Sequence, residues 1–162
     1  MLEINDLKFG YRKHEVFNNL NMSFPEGKIY GLLGQNGAGK STLLYLASGL
    51  LFAENGDVKF DGKKVAKRTP DILSEIFIVP EEFDLPRMSF KRYVKLYSTF
   101  YPNFSNAILE KCLAGFDMTM DINLGRLSMG QKKKAYVCFA LATNTKLLLM
   151  DEPTNGLDIP SK

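Results

Sequence analysis

Apolar and polar positions along the chain change period several times, and the changes mark the elements. Leu2, Ile4, Leu7, Phe9 and Tyr11 read as edge-strand material broken at Gly10. Leu20, Met22 and Phe24 alternate with Asn21 and Ser23, the period of a half-buried strand. Pro25-Glu26-Gly27 is a turn that returns the chain into Ile29-Tyr30-Gly31-Leu32-Leu33, an apolar run short enough for a buried strand. A glycine-rich loop follows. Leu43-Leu44-Tyr45-Leu46-Ala47 then predicts the first turns of a helix, with Gly49 as its stop. Asp57-Val58-Lys59-Phe60 is a short strand between the turns Asn55-Gly56 and Asp61-Gly62, and Ile76-Phe77-Ile78-Val79 is another, ended by Pro80.

Beyond Pro80 the texture becomes helical. Ser89 is placed to cap a helix whose residues Phe90, Tyr93, Val94, Tyr97, Phe100 and Tyr101 fall at helical spacing, and Pro102 stops it. That aromatic stripe is most simply core. Ser105 is placed to cap a second helix carrying Ile108, Leu109, Cys112 and Leu113, ended near Gly115. A third helix is expected from about Lys132 to Thr143, and the sheet pattern resumes at Leu147-Leu148-Leu149-Met150. The expected organisation is a β portion and the first part of the core over 1–82, a helical subdomain over 83–126, and a closing helix, strand and loop over 127–162. No internal repeat or low-complexity segment interrupts it.

Composition changes this picture little. With 162 residues, 45% of them hydrophobic, the chain can bury one core. A net charge of +3 is too mild to argue for nucleic acid, and Lys63-Lys64, Lys67-Arg68 and Lys132-Lys133-Lys134 read as solvated faces. Cys112 and Cys138 lack metal-ligand spacing, and Cys138 lies in the apolar run Ala135 to Ala142, as a core thiol in a reducing cytosol would. That run is far below the ~18 residues of a membrane span. The amino terminus has no signal-peptide pattern, so a soluble chain is expected.

The loop carries the first chemistry. Gly34-Gln35-Asn36-Gly37-Ala38-Gly39-Lys40-Ser41-Thr42 fits G-x-x-x-x-G-K-[ST] between an expected strand and an expected helix. Its glycines let successive N–H groups point inward at an anion, and the helix adds its positive end. Lys40 would reach the β- and γ-phosphates, and the Ser41 hydroxyl would ligate Mg²⁺. Asp151 and Glu152 follow the strand ending at Met150. The first is suited to hold Mg²⁺ through water, and the second to polarise an attacking water. Before them, Leu127-Ser128-Met129-Gly130-Gln131 opens a helix. Ser128 is either a helix cap or, with the N–H groups beside it, a second anion site. A second γ-phosphate site is of use to a head-to-tail dimer, in which each nucleotide lies between the loop of one subunit and this motif of the other.

With these motifs in this order, the chain resembles the ATP-binding subunit of an ABC transporter over its whole length. Gly34 to Thr42 matches the Walker A motif. Leu127 to Gln131 matches the LSGGQ signature, with Met129 where its glycine pair begins. Leu147 to Glu152 matches Walker B, with Glu152 at the catalytic carboxylate, and Gly156-Leu157-Asp158 matches the D-loop. The resemblance implies an α/β fold: a P-loop NTPase core with an antiparallel β portion and a helical subdomain that faces a membrane partner. It implies ATP and Mg²⁺ as cofactors, with Tyr11 against adenine. Gly34, Asn36, Gly37, Ala38, Gly39, Lys40, Ser41 and Thr42 would bind nucleotide, and Ser128, Gly130, Gln131 and Asp158 the nucleotide of the second copy. The implied partners are a transmembrane permease subunit and a second nucleotide-binding subunit, as a homodimer at the cytoplasmic face of the membrane. No nucleic acid is expected.

Two departures bear on activity. Where the family usually has Gln after the strand Ile76 to Val79, in a loop that senses the γ-phosphate and Mg²⁺, this chain has Pro80-Glu81-Glu82. Glu81 therefore stands at that position, where the resemblance implies a metal ligand; a carboxylate oxygen can still ligate Mg²⁺, though it adds negative charge beside the phosphates. The chain also stops at Lys162, before the strand that carries the family's switch histidine, and His14 cannot fill that role. The expectation is a truncated subunit, lacking its last core strands, that binds ATP but hydrolyses it poorly. The alternative is a soluble ABC ATPase acting on the ribosome or on DNA; the ordinary spacing from Lys40 to Asp151 and the lack of Cys clusters argue against the DNA type. A non-hydrolysing regulatory domain is a third reading, which Glu152 disfavours.

Overall fold

The computed structural model describes residues 1–12 and 14–155, which form two units, residues 1–73 and residues from 74 onward. The first is built on an antiparallel sheet of order β2-β1-β3-β4: β1 (Leu2–Tyr11), β2 (His14–Phe24), β3 (Asn55–Phe60) and β4 (Lys63–Lys64). The expected edge strand is therefore interior, with β2 on one side and β3 on the other, because both of its backbone edges find partners.

Sequence and register agree closely in β1. Strict alternation would place Leu2, Ile4 and the even residues after them on one face, yet the buried residues are Leu2, Ile4, Leu7 and Phe9. The phase slips by one residue between Ile4 and Leu7, and there the ladder to β2 shifts register, from Ile4↔Met22 to Leu7↔Leu20. Asp6 takes a φ of 47° at the slip, the signature of a bulge that keeps both apolar pairs inward. On the β3 side Gly56 is required: its φ is +77°, and a Cβ would stand 2.3 Å from the Asn5 carbonyl oxygen.

Helix α1 (Lys40–Ala47) packs on β3 and ends where Gly49 turns to a φ of +72°. A 3₁₀ turn (Val65–Lys67) and the short helix α2 (Pro70–Leu73) close the unit. One expected strand is not formed. Ile29 to Leu33 pairs with no strand among the described residues, and Ile29 and Leu33 are fully exposed. An apolar run becomes a strand only where a neighbour supplies its ladder hydrogen bonds and cover.

In the second unit β5 (Ile76–Val79) and β6 (Leu147–Met150) pair in parallel, Ile76 opposite Leu147 and Val79 opposite Met150. Between them lie α3 (Phe90–Tyr97), capped by Ser89; α4 (Asn106–Gly115), capped by Ser105; and α5 (Met129–Ala142). Both cap hydroxyls accept a first-turn N–H as the sequence predicted, from Arg92 and Ile108 respectively. Helix α5 packs against α4 and β5 and carries Ala135, Cys138, Phe139, Ala140 and Ala142 into the core. Phe139 is the centre of the aromatic packing, with ring centroids of Tyr93, Phe104 and Phe77 at 5.1, 5.4 and 5.9 Å. The aromatic stripe after Ser89 is core only in part: Phe90, Tyr93 and Val94 are buried, whereas Phe100 is exposed on the 3₁₀ turn that follows α3. Fewer residues per turn there rotate Phe100 off the buried face.

Candidate functional site

In the first unit the glycine loop has the conformation its residues require. Gly37 and Gly39 take φ values of +81° and +91°, and the Ala38 N–H closes a turn onto the Gln35 carbonyl at 3.2 Å. Gly39 is the N-cap of α1 and offers no side chain to the helix. The N–H groups of Lys40, Ser41 and Thr42 precede the first intrahelical bond, from Leu43 N–H to the Gly39 carbonyl at 2.9 Å, so they remain donors at the helix's positive end. The Lys40 ammonium donates to the carbonyls of Gly34 (3.0 Å) and Gln35 (3.1 Å), which holds a positive charge across the loop. Tyr11 stands beside it. Its hydroxyl lies 3.3 Å from Thr42 Oγ1, and its half-exposed ring meets Phe9 edge-on at 4.9 Å. Such donors and charge suit a phosphate group.

In the second unit the carboxylates gather at the ends of β5 and β6. The Asp151 N–H donates to the Val79 carbonyl at 2.8 Å, carrying the parallel ladder one residue past Met150. Asp151 is only 4% exposed, and its Oδ2 is buried with no hydrogen-bond partner among the described residues. A buried carboxylate oxygen left unpartnered is costly, and a cation is the partner that suits it. No cluster of three or more His, Cys, Asp or Glu capable of holding a metal occurs among the described residues. The open oxygen of Asp151 suits a hard cation such as Mg²⁺, which binds through one or two carboxylates plus substrate phosphates. Glu152 takes a φ of 43°, and its side chain is exposed. Glu81 is also exposed, and its Oε1 accepts from Asn155 Nδ2 at 2.9 Å, which ties the loop after β5 to the turn after β6.

The signature-like segment forms a capping box. Ser128 Oγ accepts from the Gln131 N–H at 3.3 Å, and Gln131 Oε1 accepts from the Ser128 N–H at 3.1 Å. Helix α5 therefore starts at Met129, three residues before the expected point, with Gly130 in its first turn. The cap reading of Ser128 holds. Gly156, Leu157 and Asp158 lie outside the described residues.

One expectation about charge fails. Of Lys132, Lys133 and Lys134, read as a solvated face, Lys132 pairs with Asp84 at 3.3 Å and holds that carboxyl below its usual range. Lys134 lies over the Phe116 ring at 5.7 Å. Lys133 is 4% exposed and donates to the backbone carbonyl of Glu152 at 2.6 Å. Helical phase could have found it, since Lys133 precedes Val137 and Ala140 by four and seven residues on one face. Asn155 carried no sequence signal as the partner of Glu81.

A glycine loop held at positive φ, a lysine across it and a bare helix start define the phosphate-binding loop of a nucleotide-binding protein. The comparisons narrow the class. A family profile described as ABC transporter matches residues 17–155, and the chain belongs to that family. It is 34% identical over 167 residues to the lantibiotic transport ATP-binding protein SrtF of Streptococcus pyogenes, covering 98% of this chain and 69% of that one. It is 29% identical to the ABC transporter ATP-binding protein YtrB of Bacillus subtilis, covering 98% of this chain and 54% of that one. Among solved structures, an ATP-binding subunit of an ABC transporter superposes with a TM-score of 0.86 at 27% identity, covering 98% of this chain and 68% of the other. The chain thus spans between half and about seven tenths of the length of these proteins. The α/β fold, with its antiparallel portion and helices, is that of the ABC ATPase domains. No helix among the described residues is long and apolar enough to cross a membrane.

Proposed function

We propose that this chain is an ATP-binding subunit that pairs head-to-tail with a second copy and drives a separate transmembrane permease from the cytoplasmic face of the membrane. The observation that carries the reading is the loop over 34–42: left-handed Gly37 and Gly39, the Lys40 ammonium and the open first turn of α1. Relatives named as transport ATP-binding proteins support the permease as partner.

The residues then take these roles. Lys40 and the N–H groups of the loop hold the phosphates, and Tyr11 lies against adenine. Ser128, Gly130, Gln131 and Asp158 meet the nucleotide carried by the second copy. Ser41, Glu81 and Asp151 would be the ligands for Mg²⁺, whose charge would offset that of the phosphate oxygens. Glu152 orients a water and takes its proton as the water oxygen attacks the γ-phosphorus. The bond from that phosphorus to the β–γ bridging oxygen breaks, releasing ADP and phosphate.

Thermal unfolding with and without MgATP tests the binding. Nucleotide at ~100 times its dissociation constant should stabilise the chain by about 2.7 kcal/mol, and Lys40→Ala should remove most of that. No shift in the parent, or an undiminished shift in Lys40→Ala, overturns the proposal.

A further inference from the structure

Lys133 is buried in the first turns of α5, and none of the ion pairs among the described residues includes it. A buried ammonium is costly unless strong hydrogen bonds satisfy it. Its partner is a backbone oxygen, the carbonyl of Glu152 at 2.6 Å, which also accepts the Asn155 N–H at 3.1 Å. The residue so held is unusual. Glu152 adopts a φ of 43°, a region that a side chain with a Cβ rarely occupies. That single left-handed residue separates two neighbouring carboxylates, Asp151 turned inward and 4% exposed, Glu152 turned outward and exposed. A charge-assisted bond to the carbonyl orients the peptide plane after Glu152 and so favours the conformation that keeps the two apart. The other end of the same helix segment is the Ser128–Gln131 capping box, and the adjacent Lys132 reaches Asp84.

We propose that Lys133 is a positioning residue for hydrolysis: from within α5 it fixes the backbone of Glu152, and through it the carboxylate that orients the attacking water. The proposal rests on the reading of Glu152 given above. Lys133 touches neither nucleotide nor water in this role, so its loss affects the rate and not nucleotide binding.

The test uses the full chain, with MgATP affinity measured by thermal shift and γ-phosphate release measured in a single turnover with protein in excess. Lys133→Met keeps the buried stem and removes the donor. It should keep the parent's affinity and slow release by ~10²-fold, the scale of a misplaced catalytic group. Lys133→Gln, a shorter neutral donor, should fall between the two, and it carries the same comparison should Lys133→Met fail to fold. In a Lys133→Met background, Glu152→Gln should add little, because both changes remove one positioned carboxylate. A release rate equal to the parent's in the donor-free variant, or losses that multiply in the double variant, overturns the proposal. A parent rate that Glu152→Gln alone leaves unchanged overturns instead the reading on which it rests, and the proposal with it.

Discussion

Gly37 and Gly39 offer a paired experiment on the loop that binds phosphate. Both have positive φ, 81° and 91°, but their surroundings differ. A Cβ on Gly37 meets nothing within 4 Å among the described residues, whereas one on Gly39 would stand 2.7 Å from Val16 Cγ1 and 2.9 Å from Phe17 Cζ. An L-residue in the left-handed region costs roughly 1–2 kcal/mol. Replacing glycine by alanine returns about 0.4–1 kcal/mol through the unfolded chain. Gly37→Ala should therefore cost about 0–1.6 kcal/mol. Gly39→Ala carries the same backbone strain plus an overlap of roughly 0.6–1.3 Å against ordinary contacts of ~3.5–4.0 Å. Overpacking of that kind adds about 1–3 kcal/mol. Urea unfolding at constant m-value measures both. The double variant Gly39→Ala with Val16→Ala removes the closer of the two clashing atoms, and should show a favourable coupling of at least ~0.5 kcal/mol. Equal costs for the two alanines, or no coupling, would refute the claim that β2 packing dictates glycine at position 39.

Three further outcomes are expected. Phe139→Ala should lose about 3–5 kcal/mol in urea unfolding, since its buried ring is the shared neighbour of Tyr93, Phe104 and Phe77, while Leu141→Ala on the exposed side of α5 should cost far less. Burial pushes the Cys138 thiol up to about 12, above its unfolded value, so its contribution to stability is complete below ~8.5 and is lost as pH rises from there through about 12. At pH 8 a disulfide reagent should label Cys112 quickly and Cys138 only in denaturant; equal rates would refute the burial argument. Glu81→Gln should keep the MgATP-dependent shift, because an amide oxygen can still accept from Asn155 Nδ2; complete loss of binding would count against placing Glu81 at the sensing position.

The helices and the loop were legible because their signals are local. Ser89, Ser105 and Ser128 each cap the helix that follows, and a cap needs only its own backbone three residues on. Gly37 and Gly39 declare a left-handed loop for the same reason. The phase slip between Ile4 and Leu7 even encodes the bulge in β1. Long-range events were not legible in this way. Ile29 to Leu33 has every local mark of a buried strand and remains unpaired among the described residues, since a strand is completed by a neighbour and not by its own residues.

The amino-acid sequence by itself determined the family, the order of the chemical motifs and the residues that could hold a phosphate. Those depend on residue type and spacing along the chain. Only the tertiary structure decided that β1 is interior, that Glu81 is held by Asn155, and that Lys133 turns inward from a run of lysines onto the carbonyl of Glu152. Burial and partnership depend on what other segments bring to the same place, and a charge seeks a hydrogen bond wherever the fold leaves it out of water.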